Sequence, residues 1–443
     1  MKRKVDAVNE RLVIRLAELM SNYGATVNEI EDTIWHLSNA LSLQGHFVLF
    51  NRILFTSFGG VIEQKVTLTR FGSTQVNIDR LEKVKKVYKS VSAGSISARH
   101  GLSELESITC AKRLYNSFLE IVSWPLISGG FAYIYLGSWK EALCAALISI
   151  ILMLINRRFP GNEFGTGLRL SIPLSAFVAG ICTVAFSQVI HPISITITVI
   201  SCLMRFMPGF SLTQAMTEIA SRRLVSGMAH FCEAIATLMM LATGVFIGIT
   251  LGSVFMTVSH GYTPFPPAMW QISIAVISVS IGFVICYQIL TCHIVAVIVS
   301  CILATLLWFY ARESYGIVYG TGAAALLGAL IANLYARIRQ CSDLIIKVPV
   351  AIILVPGVYG YRSLLEIMNS QTVSGLGHFS TTFGIAVSII TGYLLIDIII
   401  PVDSHSEDAR KEQIPSCAKR NFICRKNFSD SAADRFKPKR FRM

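Results

Sequence analysis

Charge is what this chain has least of. Only 15% of its 443 residues are Asp, Glu, Lys or Arg, against about a quarter in soluble domains, while 53% are hydrophobic and mean hydropathy is +0.58. That excludes an ordinary soluble protein. The scarcity is also local, because only 21 of the 65 charged residues fall in the 284 positions from Ser117 to Ile400. A sparsely charged middle lies between two water-loving ends.

Other absences narrow the function. There is no Gly-rich phosphate loop of the Walker type, so the chain offers no visible ATP site and an ATP-driven pump is not expected. No nucleophile–base pair stands out, so no catalytic residue and no enzyme is expected. The eleven cysteines form no disulfide framework: Cys144, Cys182, Cys202, Cys232, Cys286, Cys292 and Cys301 sit inside apolar runs as small apolar residues, and Cys417 and Cys424 lack the spacing of a metal site. No metal and no cofactor is therefore expected. The net charge of +13 does not point to nucleic acid, because the basic residues cluster at segment ends and in the tail rather than among aromatics on one face. A membrane surface fits them better. Met1 to Glu10 is charged and leads into an amphipathic stretch, so no cleavable signal peptide is expected.

Residues 1–116 read as a small cytoplasmic α+β domain. Leu12, Leu16 and Leu19, then Ile30, Ile34, Leu37 and Leu41, recur at helical spacing and predict helices over 7–22 and 26–42, separated by Gly24. Three β-rich runs follow, His46–Phe50, Ile53–Phe58 and Lys65–Phe71, and then helices near 77–93 and 102–116. Glu29, Glu31, Asp32 and His36 resemble a metal or acid–base cluster on paper, but charged residues on an amphipathic helix more often form a solvated face.

Ten segments reach the length of about 20 apolar residues that a spanning helix needs. They lie near 117–136, 141–156, 170–190, 193–207, 224–251, 266–286, 289–310, 316–335, 342–356 and 373–400. Shifting the chain by 148 residues superposes the first five on the last five without a gap. Pro208-Gly209 falls on Pro356-Gly357, Glu218-Ile219 on Glu366-Ile367, Val225-Ser226-Gly227 on Val373-Ser374-Gly375, His230-Phe231 on His378-Phe379, and Thr243-Gly244 on Thr391-Gly392. These are 11 identities in the 37 positions from 208 to 244, where unrelated sequences of this composition share roughly one in fifteen. A duplication is expected, with a first five-helix repeat over 117–253 and a second over 254–400, followed by a basic, disordered cytoplasmic tail over 401–443.

An odd number of crossings per repeat makes the second half enter from the opposite side, giving an inverted-topology repeat. The basic residues agree. With the N-terminus cytoplasmic, the inner ends hold Arg157, Arg158, Arg169, Arg205, Arg222, Arg223, Arg337, Arg339 and Lys347, the outer ones only Lys140, Arg312 and Arg362, and the 254–265 link none. Both termini are expected in the cytoplasm.

Within the spans, Pro208, Gly209, Pro356 and Gly357 are candidate helix breaks that free backbone groups for a polar ligand, or plain terminators. Glu233, about nine residues into its span, is the leading coupling candidate because an ionisable group at depth is costly. His230, three positions earlier, is its expected partner or else a packing residue. His378 repeats His230, but Thr381 stands where a second Glu233 would be. Asp397 and Lys347 read as snorkelling or helix-pairing residues, and Glu218 and Glu366 as solvated acids in the links after Pro-Gly.

Gly24-Ala25 followed by Ile30-Glu31, the Ile53–Gly59 strand, and Pro-Gly leading to Ser226-Gly227 and Glu233-Ala234 together resemble the threonine/serine exporter family, whose fungal branch includes pheromone-regulated membrane proteins. The resemblance runs from about residue 10 to 400, and the order of parts is more specific than any motif. It implies export of threonine and serine driven by the proton gradient or membrane potential; related two-component members look like exporters of dicarboxylates such as succinate. Glu29 departs from the family, which often has Arg there. The expected partners are therefore a small amino acid, protons and the lipid bilayer, with a homo-oligomer allowed and the plasma or inner membrane favoured. A non-transporting membrane scaffold is the alternative of a different class.

Overall fold

Helix α1 (Lys2–Asn22) and α2 (Val27–Ala40) are turned against each other at Gly24, whose φ of +98° is a conformation that side chains resist. Thr26 then caps α2, its hydroxyl accepting from Glu29 N at 3.3 Å. Strands β1 (Gly45–Phe50), β2 (Ile53–Gly59) and β3 (Gln64–Arg70) form an antiparallel sheet in the order β1-β2-β3, with Phe50 opposite Ile53 and Ile53 opposite Arg70. Alternation puts Leu54, Thr56 and Phe58 inward. Helices α3 (Ile78–Ser92) and α4 (Ala98–Cys110) complete the unit. The last helix starts earlier than its apolar pattern predicts because Ser97 caps it, accepting from His100 N at 3.4 Å. Leu12, Leu16, Met20, Ile30, Ile34, Leu37 and Leu54 fill its core, each worth about 1.5–3 kcal/mol when removed from water.

The structure, a computed structural model, describes residues 2–50, 52–59, 64–72, 76–159, 170–190, 192–256, 265–354, 357–368 and 370–401. Arg169, Pro356, most of the 254–265 link and the tail from 402, with Cys417 and Cys424, lie outside the described residues.

Twelve further helices follow: α5 (Ser117–Ile134), α6 (Trp139–Arg158), α7 (Ser171–Val189), α8 (Ile195–Cys202), α9 (Gly209–Ala220), α10 (Leu224–Phe255), α11 (Met269–Cys286), α12 (Ile294–Tyr315), α13 (Ile317–Arg339), α14 (Leu344–Ile353), α15 (Gly357–Met368) and α16 (Thr372–Ile399). Among the described residues nine spans are long and apolar enough to cross a bilayer, and α8 with the 204–220 segment, bent by 51°, makes a tenth when counted as one. The links expected after each Pro-Gly are corrected: residues 209–220 and 357–368 are helices. Each carries an apolar stripe, such as Leu212, Ala215 and Met216, that a solvated link would leave exposed.

The two halves pair their helices in the same way. Helix α7 packs on α10 as α13 packs on α16; α6 on α8 as α12 on α14; and α10 on α15 as α16 on α9. Glycines permit the closest of these approaches. A Cβ on Gly248 would fall 2.3 Å from the Phe177 carbonyl, and one on Gly392 would fall 2.9 Å from Leu326 N. The α14–α15 span is by far the most buried of the single spans.

The N-terminal unit sits on the turns after α9, α11 and α13. Asn28 Nδ2 donates to Ser221 Oγ at 2.9 Å, Ile78 N to the Tyr287 carbonyl at 3.0 Å, and Ser342 N to Glu82 Oε1 at 3.1 Å. Those turns therefore share one side, which α10–α11 and α12–α13 each leave and regain.

Candidate functional site

Two hairpins, α9–α10 and α15–α16, hold the polar residues that the repeat shares. Each is closed by a glycine in the same way. A Cβ on Gly227 would lie 2.6 Å from Ile219 Cγ1 and 2.9 Å from the Ala215 carbonyl; on Gly375 it would lie 2.5 Å from Ile367 Cγ1 and 2.8 Å from the Ser363 carbonyl. Any side chain there would force the two helices of the hairpin apart.

This approach brings a carboxylate on the short helix to a histidine on the long one. His230 Nε2 lies 3.7 Å from Glu218 Oε1, and His378 Nε2 lies 3.2 Å from Glu366 Oε1. A serine stands beside each pair: Ser374 Oγ donates to Glu366 Oε2 at 2.6 Å, and Ser226, its counterpart in the first half, lies near Glu218. Ser and His stand four residues apart on one helix face in both copies. The sets differ in access. The side chains of Glu218 and His230 are 1% and 13% exposed, those of Glu366 and His378 25% and 31%. One set is buried while its counterpart is part-exposed.

Several sequence expectations change here. Glu218 and Glu366 are not solvated acids of links but members of paired sites on α9 and α15. The histidine partner expected for Glu233 pairs with Glu218 instead. Glu233 faces the N-terminal unit, where Arg52 Nη2 in the β1–β2 turn donates to its carboxylate oxygens at 3.3 and 3.5 Å. The physical reason is length: α10 has 32 residues, about 48 Å, against a hydrocarbon core of about 30 Å. Counting residues from its start therefore overstates depth. Thr381 donates its hydroxyl to the Gly377 carbonyl of its own helix at 2.9 Å, away from His378.

Pro208 is the residue before α9, and buried Gly209 its first; the chain turns through a short 3-10 segment at 204–206 before them. Gly357, also buried, opens α15, while Pro356 lies outside the described residues. The imagined N-terminal cluster is dispersed into the junction. Glu31 accepts from Leu49 N at 2.7 Å and pairs with Arg223, and Glu29 pairs with Lys85.

Asp397 and Lys347 pair α16 with α14, and Asp343 joins them. Lys347 Nζ is 2.6 Å from Asp343 Oδ2 and 2.6 Å from Asp397 Oδ1, so three charges meet where α14 and α16 join the turn after α13. The signal for the Glu–Ser–His sets was present in the repeat, whose identities retain Glu218, Ser226 and His230 together. No comparable signal marks the lysine cluster, since the first half has Ile195, Val199 and Ile249 at its three positions.

Comparison with known proteins adds to this geometry. Residues 11–252 match the family described as "Putative threonine/serine exporter", and residues 271–399 match a second, "Threonine/Serine exporter, ThrE". Curated relatives include Pheromone-regulated membrane protein 10 of Kluyveromyces lactis, 24% identical over 392 residues, covering 84% of this chain and 40% of that one. The protein of the same name from Candida glabrata is 24% identical over 427 residues, covering 89% and 51%, and that from Saccharomyces cerevisiae is 24% identical over 395, covering 84% and 49%. The chain spans about half the length of these relatives or less. No solved structure matches.

Proposed function

Because the chain belongs to the threonine/serine exporter family, we propose that it is a secondary active transporter exporting small amino acids, threonine and serine, by alternating access. It is an integral multi-pass membrane protein, and family membership makes it a carrier rather than an enzyme. In this reading the chain crosses the bilayer ten times as two inverted five-helix repeats, with both termini in the cytoplasm of a plasma membrane. The domain boundaries fall after residues 116, 253 and 400.

The observation that carries the reading is the duplicated Glu–Ser–His set, one copy buried and one part-exposed. An inverted repeat places equivalent residues toward opposite faces of the membrane, so Glu218, Ser226 and His230 serve one side and Glu366, Ser374 and His378 the other. Each carboxylate receives the ammonium of the amino acid, and the serine hydroxyl and imidazole complete its hydrogen bonds. The helix break at Pro208-Gly209 and the start of α15 at Gly357 let each short helix move with its hairpin. Two carboxylate-based sets repel a dicarboxylate, which disfavours a succinate-like substrate.

Counterflow of radiolabelled threonine and serine into liposomes holding the purified chain tests this. Exchange of both, competed by either but not by succinate, is expected. Competition by succinate with no effect of serine overturns the amino-acid assignment, and absence of any flux overturns transport.

A further inference from the structure

Helix α15 carries a basic residue that the Glu–Ser–His sets leave unused. Tyr359, Arg362 and Glu366 stand at i, i+3 and i+7 and so share one face of the helix. His378 of α16 fixes where that face points. Its Nε2 lies 3.2 Å from Glu366 Oε1 and its ring centroid 6.2 Å from that of Tyr359, so one imidazole meets both ends of the stripe. Arg362 lies between those two ends.

The guanidinium is unmatched. Arg362 is half-buried, its Nε is enclosed without a hydrogen-bond partner, and no ion pair reaches it among the described residues. Glu366, one turn along at i+4, is the ordinary partner for such a residue, but its oxygens are turned to His378 and Ser374 on α16. Tyr359 and Tyr135 lie within range of the Arg362 charge, and neutral phenols do not offset it. Arg312, the other cation near Tyr359, is laid over the rings of Trp308 and Phe309 at 4.9 and 5.5 Å. A buried donor left unmade costs about 1–3 kcal/mol, and more when it is charged, so the Arg362 site favours an anion. The first half does not repeat the arrangement. Its stripe is Ser211, Gln214 and Glu218, which keeps the acid and replaces the cation by a neutral amide.

We propose that Arg362 receives the carboxylate of the transported amino acid while Glu366 receives its ammonium; this rests on the transport reading above. The planar guanidinium presents a fork of N–H donors that matches two carboxylate oxygens. An acid and a base one turn apart on one face, neither bonded to the other, match a zwitterion whose two charges sit on a single carbon. An amine without a carboxylate leaves Arg362 unmet, and a dicarboxylate sets like charge against Glu366. With Gln214 in place of the cation, the α9–α10 copy holds the ammonium end alone. Selection for the carboxylate therefore belongs to the α15–α16 copy.

The test uses the full chain in liposomes and competes radiolabelled serine counterflow with unlabelled serine and with ethanolamine, which is serine without its carboxylate. In the unmodified protein serine is expected to compete at least about tenfold better than ethanolamine. Arg362→Gln, which installs the residue of the first half, is expected to raise the serine KM about tenfold with kcat within about threefold and to leave ethanolamine unchanged, so the two compete about equally. Arg362→Lys keeps the charge and loses the fork, and should show about a threefold rise for serine alone. Equal competition by the two solutes in the unmodified protein overturns the proposal, as does an unchanged preference for serine in Arg362→Gln. Equal losses for both solutes also overturn it, because the residue is then part of the scaffold. If Arg362→Gln gives no counterflow, the preference measured in Arg362→Lys decides, and an unchanged one overturns the proposal. Absence of counterflow in the unmodified protein instead overturns the transport reading.

Discussion

His230 Nε2 lies 3.7 Å from Glu218 Oε1, although the two residues come from different helices and another acid, Glu233, stands three residues along the helix of His230. The pairing divides the acids of α10 and its neighbours into two groups. Glu218 belongs to a buried site that recurs 148 residues later; Glu233 belongs to the contact with the N-terminal unit.

Glu218→Gln and Glu366→Gln should each reduce threonine counterflow by about tenfold or more, since each removes the charge that receives the substrate ammonium. Glu233→Gln should cost less than about threefold, because its carboxylate is part-exposed and holds Arg52. Counterflow rates of the three variants at equal reconstitution check this, and a larger loss in Glu233→Gln than in Glu218→Gln would reverse the assignment.

Gly248→Val should be among the most damaging single changes in the apolar region. The Cβ would lie 2.3 Å from a backbone carbonyl that has no flexible end to move. A loss of about 2–3 kcal/mol is expected from forcing α7 and α10 apart, read as a drop of several degrees in the thermal midpoint in detergent. Gly377→Ala, with nothing within 4 Å of its Cβ, should leave the midpoint unchanged.

Arg223 and Glu31 join the α9–α10 turn to α2, with side chains 28% and 17% exposed. A double-mutant cycle with Arg223→Ala and Glu31→Ala should return a coupling of about 1 kcal/mol in thermal stability, falling with added salt. A coupling indistinguishable from zero in low salt would mean that the pair does not hold the unit in place.

Asp343 lies just outside its span and gives a pH signature. Burial raises its carboxyl pKa, but the attraction of Lys347 and then Lys85 outweighs burial and holds it below the usual carboxylate value. Its contribution to stability is thus complete above pH about 4 and is lost as pH falls further through the lowered value. Removing the partner in Lys347→Met leaves burial in control and raises the same pKa, so the variant should gain stability on acidification from pH 7 toward 5. Thermal midpoints of both proteins across pH 4–8 decide it; parallel curves would exclude the linkage.

Much of the fold was legible because period and length are strong signals. The apolar residues from Leu12 to Leu41 marked two helices, and runs of about 20 apolar residues marked the spans. The duplication was legible through shared Pro-Gly, Ser-Gly and His. Helices α9 and α15 were harder, because twelve residues with alternating stripes and polar positions look like connections until their partners α10 and α16 are in place. The Glu218–His230 pairing depends on that tertiary approach, as does the meeting of Lys347 with Asp397, fifty residues away. Spacing along one helix favoured His230 with Glu233, and only the close contact at Gly227 decides otherwise.

In the proposed transport cycle, helix α10 would act as a lever arm. Its first turns are fastened to the N-terminal unit through Arg223 and Glu233, and its far end reaches Phe255 on the opposite side. A rocking of about 10° about that far end would carry the fastened end through about 8 Å over its length of about 48 Å. The N-terminal unit is held also to the turns after α11 and α13, so such a motion would strain those contacts, and a dye pair placed on that unit and on the end of α6 would read it as a change in distance.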